Sequence, residues 1–155
     1  MKKIIPVFIF SIGALLSSCQ QGPSGTCGAN LNVCFMLNGN TVAVNAQWYD
    51  INPNRHRILW EETSGSDYRN IEIDLYGSLA AMTYTISPTA ANNGEASFQY
   101  YLSGSTNANY QGISGSIVIT STASNQITGT FSGVVMNGAN NYDITDGHID
   151  AVPHQ

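Results

Sequence analysis

Asn70-Ile71-Glu72-Ile73-Asp74-Leu75 alternates polar and aliphatic side chains without a break. Successive side chains on an extended chain point to opposite faces, so Ile71, Ile73 and Leu75 share one face and Asn70, Glu72 and Asp74 the other. This pattern predicts a strand with one face on a core and one toward water. The same period of two extends outward in both directions. Val42, Val44, Ala46 and Trp48 alternate with Thr41, Ala43, Asn45 and Gln47, and Met82, Tyr84 and Ile86 with Thr83 and Thr85. Phe98, Tyr100 and Leu102 alternate with Ser97, Gln99 and Tyr101. Further strands are expected over 57–61, 113–120, 127–136 and 142–149. Between the runs stand turn formers: Asn38-Gly39, Asn52-Pro53-Asn54, Ser64-Gly65, Asn92-Asn93-Gly94, the stretch 103–109 and Asn137-Gly138. From Val33 onward no stretch carries helical periodicity. The expected fold is all-β, an antiparallel sandwich or barrel of about nine strands in one domain over 33–155.

One register can be proposed from sequence. Ile113-Ser114-Gly115-Ser116-Ile117 echoes Ile127-Thr128-Gly129-Thr130-Phe131. A hairpin folded about Ala123 places Gly115 opposite Phe131 and Ile117 opposite Gly129, so that each glycine lies under a bulky cross-strand partner. The competing reading makes these glycines bulges or independent bends.

The N-terminus carries an address. Met1-Lys2-Lys3 is basic, residues 4–16 form a short apolar run, and Leu16-Ser17-Ser18-Cys19 follows. The run is too short to span a bilayer as a helix and sits where an export signal belongs. Leu16 to Cys19 resembles a bacterial lipobox, which implies a lipoprotein signal peptide over 1–18, a lipidated Cys19 and a flexible tether over 19–32. The uncharged residues after Cys19 lack the acidic cluster that resembles a surface-export signal, which favours the periplasm-facing side of the outer membrane. After removal of residues 1–18, 137 residues remain, with three arginines and no lysine against ten carboxylates, a net charge of −7. Such a surface repels phosphate backbones, so nucleic acid is not an expected partner. Nor can it hold anionic lipid by charge, so membrane attachment falls to the acyl chains on Cys19.

Cys27 and Cys34 are an even pair in an exported chain and read as a disulfide. The competing reading buries Cys34 as a small hydrophobe within Val33-Cys34-Phe35-Met36-Leu37. The C-terminal third, with Ile127 to Phe131, Ile144-Thr145 and Gly147 after an early Asn38-Gly39, resembles a family of small β-rich Bacteroidetes-type lipoproteins of unknown function. The resemblance implies a compact β domain on a lipid anchor and transfers no catalytic residue.

Catalytic patterns are sparse. Glu72 and Asp74 share a strand face at a spacing a retaining glycosidase could use, but the alternation turns both outward, where no burial would raise a pKa. Glu61 and Glu62 are the other acid pair. There is no Gly-x-Ser-x-Gly elbow and no lysine after export for Schiff-base chemistry. Asp143, Asp146, His148 and Asp150 read as the solvated face of an edge strand rather than a metal site. No catalytic residue, metal or cofactor is therefore expected. Tyr76 and Tyr101 fall on the polar phase of their strands, and Tyr110 lies beside an Asn-rich loop. These three are the candidate ligand residues, since exposed aromatics beside amides suit sugar binding. The expected function is a non-enzymatic binding or structural module of the cell envelope, with a glycan or an envelope protein as the candidate partner. The other readings are a glycoside-hydrolysing lipoprotein and a lipocalin-like carrier.

Overall fold

The computed structural model describes residues 27–155, so Cys19, the signal peptide and the first part of the tether lie outside the described residues. In chain order the strands are β1 (Val33–Leu37), β2 (Asn40–Val44), β3 (Gln47–Asn52), β4 (Arg55–Ser64), β5 (Asp67–Tyr76), β6 (Thr83–Ile86), β7 (Glu95–Ser103), β8 (Ala108–Ser121), β9 (Gln126–Asn137) and β10 (Asn140–Pro153). They form one sheet in the order β2-β1-β10-β9-β8-β6-β7-β5-β4-β3. Its ladders are antiparallel except where β6 lies parallel to β7. The sheet curls into a half-barrel. The all-β expectation holds, with ten strands where about nine were expected.

The run Thr41 to Trp48, expected as one strand, is divided between the two outermost strands of the sheet. β2 pairs with β1, β3 pairs with β4, and only Asn45 and Ala46 separate them. The corner is held by Asn32. Its Nδ2 donates to Ala46 O at 2.9 Å, and its Oδ1 accepts from Ala46 N at 2.7 Å, which imitates a strand pair. The Asn32 backbone donates to Val44 O at 2.9 Å and accepts from Asp150 N at 2.7 Å. Past the corner the chain lies against the end of β10, through a parallel bridge from Trp48 to His154 and a hydrogen bond from Gln155 N to Trp48 O. The barrel therefore meets itself at one end only.

Residues 27–32 correct the tether expectation. Cys27 and Cys34 are joined by a disulfide, Cα to Cα 5.3 Å, and Cys27 N donates to Asp150 Oδ2 at 2.7 Å. This stretch is fastened to β10, because closing a short loop by a disulfide and pairing Asn32 leaves it little freedom.

The expected hairpin register is also corrected. β8 and β9 are antiparallel neighbours, but Ile117 faces Phe131, Ile119 faces Gly129, and Gly115 faces Gly133. The turn centres one residue later than expected, on a 3₁₀ turn at Ala123–Asn125 with Ser124 and Asn125 both at φ 57°. Turn geometry sets hairpin register, and here it outranks cross-strand cover. The facing glycines permit close approach beside the bulge between Gly112 and Ser114. A Cβ on Gly133 would stand 2.4 Å from Ser114 O, and one on Gly115 2.3 Å from Ser132 O.

Inside the curl, Phe35, Phe98 and Phe131 meet with ring centroids 5.6–5.9 Å apart, among fully buried Ile58, Ile71, Ile73 and Leu75. β7 and β8 pair from Leu102↔Ala108 to Gln99↔Gln111 and then diverge. β6 lies in that divergence, parallel to β7 and antiparallel to β8, and delivers Tyr84 and Ile86 to the core.

Truncating Phe131 to Ala should cost about 3–5 kcal/mol by the cavity it leaves. Asn32→Ala should cost about 1–3 kcal/mol, because both polar groups of buried Ala46 lose their partner. Urea unfolding of each variant against the parent checks both values.

Candidate functional site

Beyond Gln47↔Leu59 the ladder between β3 and β4 stops, and the chain on either side parts. β2 leaves to pair with β1, while the rest of β4 continues beside β5 as far as Ser64↔Asp67. The parting leaves a fork. A groove of about 530 Å³ occupies it, lined on one wall by Thr41 to Asn45 and on the other by Trp60 and Glu62, with Arg69 and Tyr100 on its floor. A second hollow shares Arg69 and Tyr100 and extends to Asp67, Ser103 and Ser105. A third shares Asn45 and Trp60 and extends to Gln47, Tyr49 and Gln155. The first two hollows share their floor and form one trough along the open side of the barrel, while the third lies beside it on the outer face of β3 and β4.

The floor is built by alternation. Trp60, Ile71, Tyr100 and Tyr110 are cross-strand neighbours on the inner face of β4, β5, β7 and β8. Tyr100 stacks on Tyr110 at 5.9 Å and 17°, and Tyr110 meets Tyr142 edge-on at 5.3 Å. Burial pushes the Tyr100 phenol above its ordinary pKa, so this ring stays neutral and offers a hydroxyl and an apolar face. One step outward, Arg69 pairs with Glu62 at 3.0 Å, both half-exposed, an ion pair worth only about 0–1 kcal/mol in water. Asp67 closes the rim, accepting Ser105 N at 2.9 Å and Ser105 Oγ at 2.8 Å, bonds that hold its carboxyl below the usual range.

The outer face carries a different cluster. Asp74 is 1% exposed and receives Arg57 Nε at 2.7 Å and Arg57 Nη2 at 2.9 Å, along with Arg55. Burial alone would raise its pKa, but the hydrogen bonds and charges of Arg57 and Arg55 outweigh burial and hold it below the ordinary value. Glu72 lies 2.6 Å from Arg57, yet burial leaves its carboxyl raised. The expectation that both acids are solvated is corrected: they point outward from the sheet, but the two arginines close over Asp74. Pairs of carboxyls pushed apart in this way occur in glycosidases. Here Asp74 is wholly engaged by guanidinium groups, and no described groove reaches either acid. Glu61 and Glu62 cannot serve one substrate either, since consecutive strand residues face opposite ways: Glu61 accepts Tyr68 OH at 2.7 Å outside, and Glu62 pairs with Arg69 inside. That bond raises the Tyr68 phenol to about 12.

The three candidate tyrosines are not brought together. Tyr76 lies under Arg55, 5.4 Å from guanidinium to ring centroid. Tyr101 faces outward, 6.1 Å from Tyr68. Tyr110 is on the inner phase and packs against the core, which corrects its reading as a ring that packing does not require. The Asp143 to Asp150 row is corrected as well, because β10 lies between β1 and β9 and is no edge strand. Its bulges, with Asp146 at φ 50°, break the expected single face, and Asp150 is engaged by Cys27. Among the described residues, no three His, Cys, Asp or Glu side chains are placed to hold a metal ion. Trp60, Tyr100 and Arg69, which line the groove, carry no mark in the sequence as site residues. No signal in the sequence marks the corner, since Asn45 falls on the polar phase of an unbroken alternation.

Asp74→Asn should destabilise the fold toward the lower end of about 3–5 kcal/mol, since its arginines keep partial access to water. The native Asp74 carboxyl lies below its unfolded value, so its contribution is full above about pH 4 and fades as the pH falls through the native value. Glu72 acts in the opposite sense, its raised carboxyl losing stability as pH rises from the unfolded to the native value. Urea midpoints from pH 2 to 7 should show the acid-side loss shrink in Asp74→Asn. No family model, curated protein or solved structure matches this chain.

Proposed function

We propose that this chain is a lipid-anchored domain of the bacterial cell envelope that binds a partner in the trough between β2 and β4 and carries out no chemistry of its own. The observation that carries this reading is the contrast between a filled interior and an unfilled fork. The phenylalanine cluster occupies the inside of the curl, which weighs against a lipocalin-like carrier. The fork presents half-buried Trp60 and Tyr100 with polar groups around them, the composition of a binding site. The hydrolase reading loses support because Glu72 and Asp74 reach no described groove, and Glu61 and Glu62 lie on opposite faces of β4. The outer membrane, facing the periplasm, is the proposed location, and acyl chains on Cys19 are the proposed attachment.

Labelled palmitate should enter the parent protein and not Cys19→Ala, and the variant should leave the membrane fraction. Retained label would overturn the anchor. For binding, Trp60 is the reporter, because it lines the trough while Trp48 is only 7% exposed and lies outside its lining. Tryptophan emission should shift when the protein is titrated with extended peptides or with chitotetraose, and Trp60→Phe should lose most of the response. Glycan hydrolysis abolished by Glu72→Gln would refute the non-enzymatic assignment.

A further inference from the structure

Among the described residues the half-barrel shows two forks, and a strand fills one of them. Where β7 and β8 part beyond Gln99↔Gln111, the four-residue β6 lies between them, parallel to one wall and antiparallel to the other. Its alternate residues Tyr84 and Ile86 enter the core. Where β2 and β4 part beyond Gln47↔Leu59, no strand of the described chain takes the corresponding place.

The walls of the second fork are ready for pairing. Asn38 and Gly39, both at positive φ, make a two-residue hairpin turn closed by Leu37 and Asn40. Hydrogen-bonded pairs alternate from there, so Asn40, Val42 and Val44 turn their main-chain groups to β1, and Thr41 and Ala43 turn theirs to the fork. On the opposite wall Ser64 and Asp67 close the Gly65-Ser66 turn, so Glu62 and Trp60 bond to β5 while Thr63 and Glu61 face the fork. The parity agrees across the corner: Gln47 pairs with Leu59, so the odd-numbered residues of both walls face each other along the whole seam.

Charge narrows the occupant. Arg55 and Arg57 are held by Asp74 and Glu72, and Arg69 by Glu62, so every arginine among the described residues has a carboxylate partner. Among the described residues Glu61 and Asp67 at the rim form no ion pair, accepting only from Tyr68 and Ser105, and the exported chain as a whole is at −7. A cationic occupant fits such a rim.

We propose that the open fork accepts an extended segment of a partner protein, about four residues long, with alternating apolar and basic side chains. The segment pairs its main chain with Thr41 and Ala43 on one side and Glu61 and Thr63 on the other. Its apolar residues rest on Trp60 and Tyr100, as Tyr84 and Ile86 of β6 rest on the core. This is strand addition to an exposed edge, in which the main chain supplies affinity and alternate side chains supply selectivity. The inference rests on the trough being the binding site and adds the class of ligand.

The test uses the full-length chain in detergent and the capped peptide Lys-Val-Lys-Val-Lys-Val-Lys. The peptide should shift Trp60 emission and slow amide exchange at least tenfold at Thr41, Ala43, Glu61 and Thr63. Methylating alternate peptide nitrogens should cut affinity at least tenfold with the protein unaltered, and Glu-Val-Glu-Val-Glu-Val-Glu should bind at least tenfold more weakly. Ala43→Pro removes one fork-facing N–H and should weaken binding similarly; the methylated peptide decides the matter if that variant folds poorly. Full binding of the methylated peptide, or protection confined elsewhere, overturns strand addition. A response to chitotetraose alone overturns the peptide while sparing the binding module. Protection of the same amides in a self-associated protein makes a second copy the occupant and overturns the proposal. If no probe moves Trp60 emission, the trough itself is refuted as the binding site.

Discussion

The architecture depends on the corner at Asn45-Ala46. Two residues cannot carry a chain far, so the strand that begins beside β1 must continue beside β4, and the two edges of a ten-stranded sheet are brought together at that point. The Asn32 side chain holds the corner by offering Ala46 both a donor and an acceptor. Buried main-chain groups need such partners, and a kinked strand between two ladders has no neighbouring strand to provide them. Above the corner the curl closes against the end of β10. Below it the walls part, because β2 and the rest of β4 have already paired with other strands.

That division accounts for where the apolar and polar material sits. At the closed end and through the middle, inward-facing aliphatic and phenylalanine side chains fill the space. Toward the open end the inward face changes from Ile58, Ile73 and Phe98 to Trp60, Ile71, Tyr100 and Tyr110, and then to Glu62 and Arg69. Rings with a polar tip suit a surface that is dry on one side and wet on the other. The outer face is organised separately, by two arginines that converge on one buried aspartate. Removing one partner from such a group leaves a charge without compensation, which explains a stabilising role without any catalytic one.

Much of the fold was legible in the chain. The strict alternation of Asn70 to Leu75 gave β5 its faces, and the same period located most other strands. Asn38-Gly39 marks a turn with positive φ at both residues, as its residue types require. The β8–β9 hairpin was legible as a pair but not in register, because the residues 122–125 admit more than one turn and the glycines fit more than one facing arrangement. Of the trough, Trp60 and Tyr100 were visible as aromatics and Arg69 as a lone cation. That they meet was not visible, since the strands bearing them are neighbours in space by pairings that alternation does not specify.

The sequence by itself determined the class of fold, the two-faced character of each strand, the acidic surface and the even pair of cysteines. These follow from local rules: which side chain points where along an extended chain, and which residues can turn it. Only the tertiary structure decided which strands are neighbours, that the Thr41 to Trp48 run joins opposite edges, that Asp74 is closed over by arginines, and that one fork is filled while another stays open. Period-two alternation assigns a residue to a face and says nothing of the strand beside it. Pairing is settled by the burial and main-chain hydrogen bonds of the whole sheet together.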